Sequence, residues 1–228
     1  MKTRFYLLIL FLAFVSSVTA FEDKFENTES FSIGSSKYIF SKLYNFKEIP
    51  LNQYAEYIGL INPTSLPNQA DMLKIFINDD DIHNKKIFSI STFSELNGKI
   101  PESEASNFPN LARNLIETAN NQFVQMMDSP KFEFAISKLK EITGIGIKSI
   151  SEIQIIDSDK EFISVTGEME IENAYNENVF HNSASSMILI DGNIIAIIFT
   201  NISSNKQYSD WNVELIKEYT PIFVGLNQ

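Results

Sequence analysis

The sequence predicts an α+β fold in which an antiparallel β-sheet packs against helices. Apolar and polar side chains alternate in short stretches before residue 100 and again after residue 160, a pattern typical of strands. Between them, from Asn107 to Ile142, apolar residues recur at spacings of three and four, as on one face of a helix. Runs of strands separated by a run of helix indicate an α+β architecture. No internal repeat or low-complexity linker divides the chain, so we expect a single domain over residues 21–228.

Residues 1–20 have the pattern of a secretory signal peptide. Lys2 and Arg4 supply the positive flank, residues 5–15 form an uninterrupted apolar core, and small side chains lead to Ala20. The apolar run is shorter than the roughly 20 residues needed to span a bilayer. We therefore expect cleavage after Ala20, export to the periplasm or the extracellular space, and no transmembrane segment in the mature chain.

Composition excludes several classes of function. The chain has no cysteine, which excludes disulfides, thiol catalysis, cysteine-ligated zinc and lipid attachment at a cysteine. An exported chain without disulfides fits a bacterial envelope or secreted protein. The formal net charge is −11 and becomes more negative without Lys2 and Arg4, so phosphate backbones are repelled. We expect no nucleic-acid partner; the partner is a protein or a small molecule.

The first half of the mature chain contains β-prone stretches at 31–40, 71–78 and 85–93, and the second and third alternate as strands do. Pro63 and Pro67 interrupt the segment between the first two and predict an irregular connection there.

The helical region begins after a predicted cap at Asn107, and Pro109 falls in the first turn, where its missing N–H costs nothing. Ser129 can cap a second helical segment, which Gly144 ends. The apolar stripe of the first segment comprises Phe108, Leu111, Ala112, Leu115, Ile116, Ala119, Phe123, Met126 and Met127.

In residues 160–172 the period returns to two. We expect an apolar face with Ile163, Val165, Met169 and Ile171, and a solvent face with Ser164, Thr166, Glu168 and Glu170. Gly167 indicates a bulge or a close packing contact.

The most apolar stretch of the mature chain, residues 187–200, is interrupted by Asp191-Gly192. This dipeptide favours a tight hairpin turn, so we predict a buried hairpin. A last helix is expected from about Ser209, with Trp211, Leu215 and Tyr219 on one face and Pro221 at its end.

The order of elements resembles the Mog1/PsbP-like fold, which includes small bacterial envelope proteins of unassigned role. The resemblance covers roughly residues 30–225 and lies above all in the Asp-Gly hairpin that leads through "FTNIS" into a closing amphipathic helix. It implies an α/β/α sandwich and an adaptor or binding module without an active site.

One loop carries candidate metal ligands. "NDDDIHN", residues 78–84, places Asp79, Asp80 and Asp81 beside His83, and hard oxygens with one imidazole suit a divalent cation. The segment lacks the spacing of a calcium loop and lies between two predicted strands, so a solvated turn is the favoured interpretation. We expect neither a metal nor another cofactor.

His181 stands close to Ser183, Ser185 and Ser186, an arrangement that raises the possibility of a hydrolase. No G-x-S-x-G motif accompanies these residues, and we expect a surface histidine at the start of a strand. No catalytic residue is assigned. The sequence thus favours an exported, non-catalytic binding or adaptor protein; the alternative is an exported hydrolase or metal-dependent enzyme that uses the Asp79–His83 loop or His181.

Overall fold

The computed structural model describes residues 25–50, 70–78, 84–93, 105–127, 129–143, 146–173, 175, 177–204 and 209–228. The predicted leader, the connection with Pro63 and Pro67, and the candidate ligands Asp79, Asp81 and His83 lie outside these residues. The chain divides into two compact units after Phe46. The single domain over residues 21–228 stays a prediction.

The smaller unit contains a β-hairpin of β1 (Phe25–Ile33) and β2 (Ser36–Leu43). The turn places Gly34 at a φ of 58°, a left-handed conformation that glycine adopts without steric cost. Across the hairpin the rings of Phe31 and Tyr38 stack with centroids 5.5 Å apart. The β-prone stretch 31–40 therefore holds parts of two strands.

The larger unit is built on an eight-stranded antiparallel sheet. Along the sheet the order is β3-β4-β5-β10-β9-β8-β6, and β7 pairs with β8 beside β6. The strands are β3 (Lys47–Glu48), β4 (Ala70–Asn78), β5 (Asn84–Phe93), β6 (Gly146–Ile150), β7 (Gln154–Ser158), β8 (Phe162–Glu172), β9 (Asn178–Ile190) and β10 (Asn193–Ser203). The helices are α1 (Phe108–Met127), α2 (Pro130–Thr143) and α3 (Ser209–Leu226). The predicted α+β class, an antiparallel sheet packed with helices, is confirmed.

Helices cover both faces of this sheet. On one face, the Tyr219 ring of α3 lies 5.3 Å from the Phe88 ring and 5.4 Å from the Phe199 ring, measured between centroids. On the other face, Phe108 of α1 packs in a buried cluster with Ile163 of β8. The larger unit is thus an α/β/α sandwich. Among the described residues, no helix is long and apolar enough to cross a membrane.

The predicted helix starts are confirmed. Leu111 N donates to the Asn107 carbonyl, and Phe132 N donates to Ser129 Oγ at 3.2 Å. Asn107 Oδ1 accepts from the side-chain amide of Asn110, which is not the backbone N–H that a capping side chain satisfies. The predicted apolar stripe was too wide: Leu115 is 67% exposed, because only a narrower set of α1 residues meets the sheet.

The hairpin at Asp191-Gly192 is confirmed. Asp191 has a φ of 52° and Gly192 a φ of 78°, the two positive values that a tight turn of this kind requires. The prediction that Pro221 ends the last helix was wrong, since α3 continues to Leu226. Pro221 is exposed, while Phe223 and Val224 beyond it are buried. Core packing of this last turn outweighs the hydrogen bond that proline cannot donate.

Candidate functional site

A pocket opens on the face of the sheet that α1 covers in part. It lies over β8, β9 and β10, beyond the cluster beneath α1, and has a cavity volume of about 320 Å³. We call it the sheet-face pocket. Its lining comprises Ile150, Ser151, Ile153, Val165, Thr166, Gly167, Glu168, Met169, His181, Ser183, Ser185, Thr200 and Ile202.

Gly167 leaves part of this space empty. Within the part of the chain that the structure describes, a Cβ atom built at Gly167 would meet only Ser151 Oγ, at 3.9 Å. The pairing of β8 with β9 runs through Gly167 without a shift in register. The expected bulge or close contact at Gly167 is therefore wrong, and the missing side chain widens the pocket instead.

The connection between β6 and β7 forms one wall and is held at two points. Ser151 exchanges hydrogen bonds with the Glu168 backbone: its N–H donates to the carbonyl, and its Oγ accepts from the N–H, both at 2.8 Å. The Asn120 amide of α1 donates to the Ile153 carbonyl and accepts from the Ile153 N–H, both at 2.9 Å. α1 thereby fixes the position of this wall.

His181 lies in the floor of the pocket. It is 5% exposed, so the expected surface histidine is wrong. Its cross-strand neighbours, Met169 on β8 and Ile202 on β10, flank it on a sheet that is apolar at this position. Burial lowers the pKa of His181 to about 4, and the imidazole is neutral at physiological pH. Its Nε2 atom is buried and has no hydrogen-bond partner among the described residues.

Strand alternation divides the serines that follow His181. Ser183 and Ser185 share the pocket face with His181, whereas Ser186 points to the opposite face. The Ser183 hydroxyl lies 3.0 Å from Thr200 Oγ1, and this pair of hydroxyls satisfies itself across β9 and β10. The serine is therefore paired with a threonine, and the described residues give it no bond to the imidazole.

The opposite face of β8 is not the solvent face that alternation predicts. Ser164 is fully buried, and its Oγ lies 2.5 Å from Ser186 Oγ. Ser186 Oγ lies 2.6 Å from Thr220 Oγ1 of α3. The prediction fails at this position because α3 covers the face and the three hydroxyls satisfy one another.

Glu172, at the end of β8, forms two ion pairs. Glu172 Oε1 lies 2.7 Å from Lys140 Nζ of α2, and Lys148 Nζ lies 3.3 Å from Glu172 Oε2. The hydrogen bond from Lys140, followed by that from Lys148, holds the pKa of the Glu172 carboxyl below its usual value. Within the described ranges, no cluster of three histidine, aspartate or glutamate side chains is placed to hold a metal ion.

No known family profile matches this sequence, and no curated protein sequence matches it. Among solved structures, the chain is similar to cyanobacterial PsbP (CyanoP) from Synechocystis sp. PCC 6803. The two share 10% sequence identity with a TM-score of 0.33, and the likeness covers 87% of this chain and 88% of that chain. This likeness is a weak resemblance in fold to PsbP and extends no further.

Proposed function

We propose that this chain is an exported, non-catalytic binding protein and that the sheet-face pocket is its ligand site. The observation that carries the proposal is His181, a lining residue of the pocket whose buried Nε2 has no hydrogen-bond partner among the described residues. Small-molecule sites are concave, mainly apolar and supplied with a few polar groups that orient the ligand. The sheet-face pocket is concave, has apolar side chains such as Val165 and Met169 in its lining, and has polar lining residues that include His181 and Ser183.

The arrangement of polar groups favours binding over hydrolysis. A general base works best when its pKa lies near the operating pH, and burial holds that of His181 at about 4. A serine nucleophile needs a hydrogen bond to its base, but the Ser183 hydroxyl is paired with Thr200. These groups are suited to orient a ligand and poorly suited to attack one.

The export half of the proposal rests on residues 1–20. N-terminal sequencing of the chain recovered from outside the cytoplasm tests it, and the expected first residue is Phe21. A recovered chain that retains residues 5–15 in a membrane fraction would contradict cleavage after Ala20.

The binding half is tested with a variant that fills the pocket. Gly167→Val adds a β-branched side chain to a strand position where a Cβ contacts, among the described residues, only Ser151 Oγ, so we expect folding to be retained. A set of neutral, anionic and cationic small molecules is screened against the mature chain by ligand-observed NMR. Molecules that bind the parent chain should lose binding to Gly167→Val.

Gly225→Ala is the matched control, because Gly225 lies in α3 and a Cβ there meets no described residue within 4 Å. This variant should bind as the parent chain does. The proposal fails if no molecule binds, or if Gly167→Val binds the same molecules with unchanged affinity.

A further inference from the structure

We infer that the sheet-face pocket selects small, electrically neutral molecules that present a hydroxyl or an amide to His181 and an apolar body to the other walls. The inference rests on the proposed function and adds the chemical class of the ligand. Three features of the pocket carry it: the charge of its described walls, the imidazole of His181, whose Nε2 has no partner among the described residues, and the size of the pocket.

The described walls offer a charged ligand little counter-charge. Among the described residues, no lysine or arginine lines the pocket, and Glu168 is the one acidic lining residue. Because side chains alternate along β8, Glu168 turns its carboxylate to the face opposite Gly167 and Met169. A charged group in this pocket would lose its hydration without gaining an ion pair, which is a large penalty.

The buried imidazole also indicates that this part of the pocket disfavours charge. His181 itself stays neutral because burial penalises its charged form. An ammonium or a carboxylate seated beside this ring would meet the same penalty.

The floor nevertheless requires one polar partner. An apolar ligand that covered His181 would keep Nε2 buried without a hydrogen bond, and an unmade bond of this kind is costly. In a neutral imidazole Nε2 is either a donor or an acceptor, according to the tautomer. Hydroxyl and amide groups both donate and accept, so either of them can pair with a nitrogen of the His181 imidazole in both tautomers.

Size limits the apolar body. The cavity volume of about 320 Å³ is near the lower end of the range for ligand pockets, roughly 300–1,000 Å³. Val165, Met169 and Ile202 supply apolar contacts around it. The pocket therefore suits one substituted ring or a short branched chain.

Four probes of nearly equal size separate charge from hydrogen bonding: para-propylphenol, propylbenzene, para-propylbenzoate and para-propylbenzylamine. Each is titrated into the mature chain at neutral pH and followed through the backbone amide signals by NMR. We expect the phenol to bind at least about tenfold more tightly than the benzoate and the benzylamine, a difference of roughly 1.4 kcal/mol. Propylbenzene should bind a few-fold more weakly than the phenol.

His181→Leu tests the role of the nitrogen with a side chain of similar volume. This variant should bind the phenol and propylbenzene equally well, because the polar partner is gone, while Gly167→Val should bind none of the four. A preference for the phenol that persists in His181→Leu would overturn the assigned contact.

The failure of this inference is distinguishable from that of the proposed function. Benzoate or benzylamine binding that equals or exceeds phenol binding, and that is lost in Gly167→Val, would overturn the neutral class and leave the pocket as the ligand site. If none of the four probes binds, but other molecules bind the parent chain and lose binding to Gly167→Val, the neutral class is again overturned and the pocket stays the ligand site. Binding that Gly167→Val leaves unchanged would overturn both.

Discussion

Ser186 Oγ lies 2.6 Å from Thr220 Oγ1, and this hydrogen bond joins the middle of the sheet to α3 through two buried hydroxyls. Ser164 Oγ extends the chain from the other side of Ser186, at 2.5 Å. The same layer contains buried aromatic rings and isoleucines, among them Phe199, Tyr219 and Ile197. A single position of α3 on the sheet satisfies all of them, so the chain of hydroxyls favours that position.

Ser186→Ala removes the central member of this chain. We expect the free energy of unfolding to fall by about 1–2 kcal/mol, because the Ser164 and Thr220 hydroxyls stay buried and lose their common partner. Urea denaturation measures the change. A triple variant, Ser164→Ala with Ser186→Ala and Thr220→Val, should lose much less than the sum of the three single changes, since it leaves no hydroxyl unpaired. Additive losses would contradict a shared network.

Ser164 also marks the limit of what alternation predicts. The period of two in residues 160–172 correctly separates Ile163 from Ser164 on opposite faces. It does not tell whether the second face is wet, because that depends on α3, which begins more than 40 residues later. A serine is compatible with both outcomes when partners on another strand and on a helix satisfy it.

The hairpin was predictable because its signal is local. Asp191-Gly192 and the apolar runs beside it determine the turn and the pairing of β9 with β10. The pairing of β5 with β10 has no such signal, since about 110 residues separate Phe88 from its partner Phe199. Sheet order in this fold is therefore a result of tertiary packing.

Most of the candidate site could not be predicted from the sequence, because it too depends on tertiary packing. Polar neighbours in sequence suggested an exposed His181, but its surroundings are Met169 and Ile202 on adjacent strands and the β6–β7 connection. Gly167 was the useful signal: a glycine within an alternating strand removes a side chain from one face. Recognising this space as part of a pocket required the position of Ser151, which lies 16 residues away in sequence.

The buried imidazole predicts a dependence of stability on pH. Its folded pKa of about 4 lies below the ordinary value of 6.5, so the unfolded chain binds the proton more strongly. The stability that the neutral His181 imidazole contributes is fully present above pH 6.5 and is lost as the pH falls toward 4. We expect a loss of about 2 kcal/mol between pH 7 and pH 5, and a smaller slope in His181→Leu. Equal slopes in urea denaturation of the two chains would contradict a buried, neutral His181.

Asn120 holds the wall of the pocket through its two bonds to the Ile153 backbone. Asn120→Ala should lower stability by about 1 kcal/mol and increase amide hydrogen exchange at Ile153 and Ser151, because the connection loses its attachment to α1. Asn121→Ala is the control, since Asn121 is the exposed next residue of the same helix. Exchange at Ile153 that is unchanged in Asn120→Ala, or raised equally in both variants, would show that the wall is held by other contacts.

The last prediction concerns the hairpin of β9 and β10. Gly192 has a φ of 78°, and a branched side chain resists this left-handed conformation, so Gly192→Val should cost roughly 1–2 kcal/mol. Ile197 is fully buried on the face that α3 covers, whereas Ile198 is only partly buried on the opposite face. Ile197→Asp places an unpaired charge in the core and should destabilise far more than Gly192→Val. Ile198→Asp should fall between the two, because its carboxylate keeps some access to water. Denaturant melts of the three variants rank them; a tolerated Ile197→Asp, or an Ile198→Asp as damaging as Ile197→Asp, would contradict the assignment of the two faces.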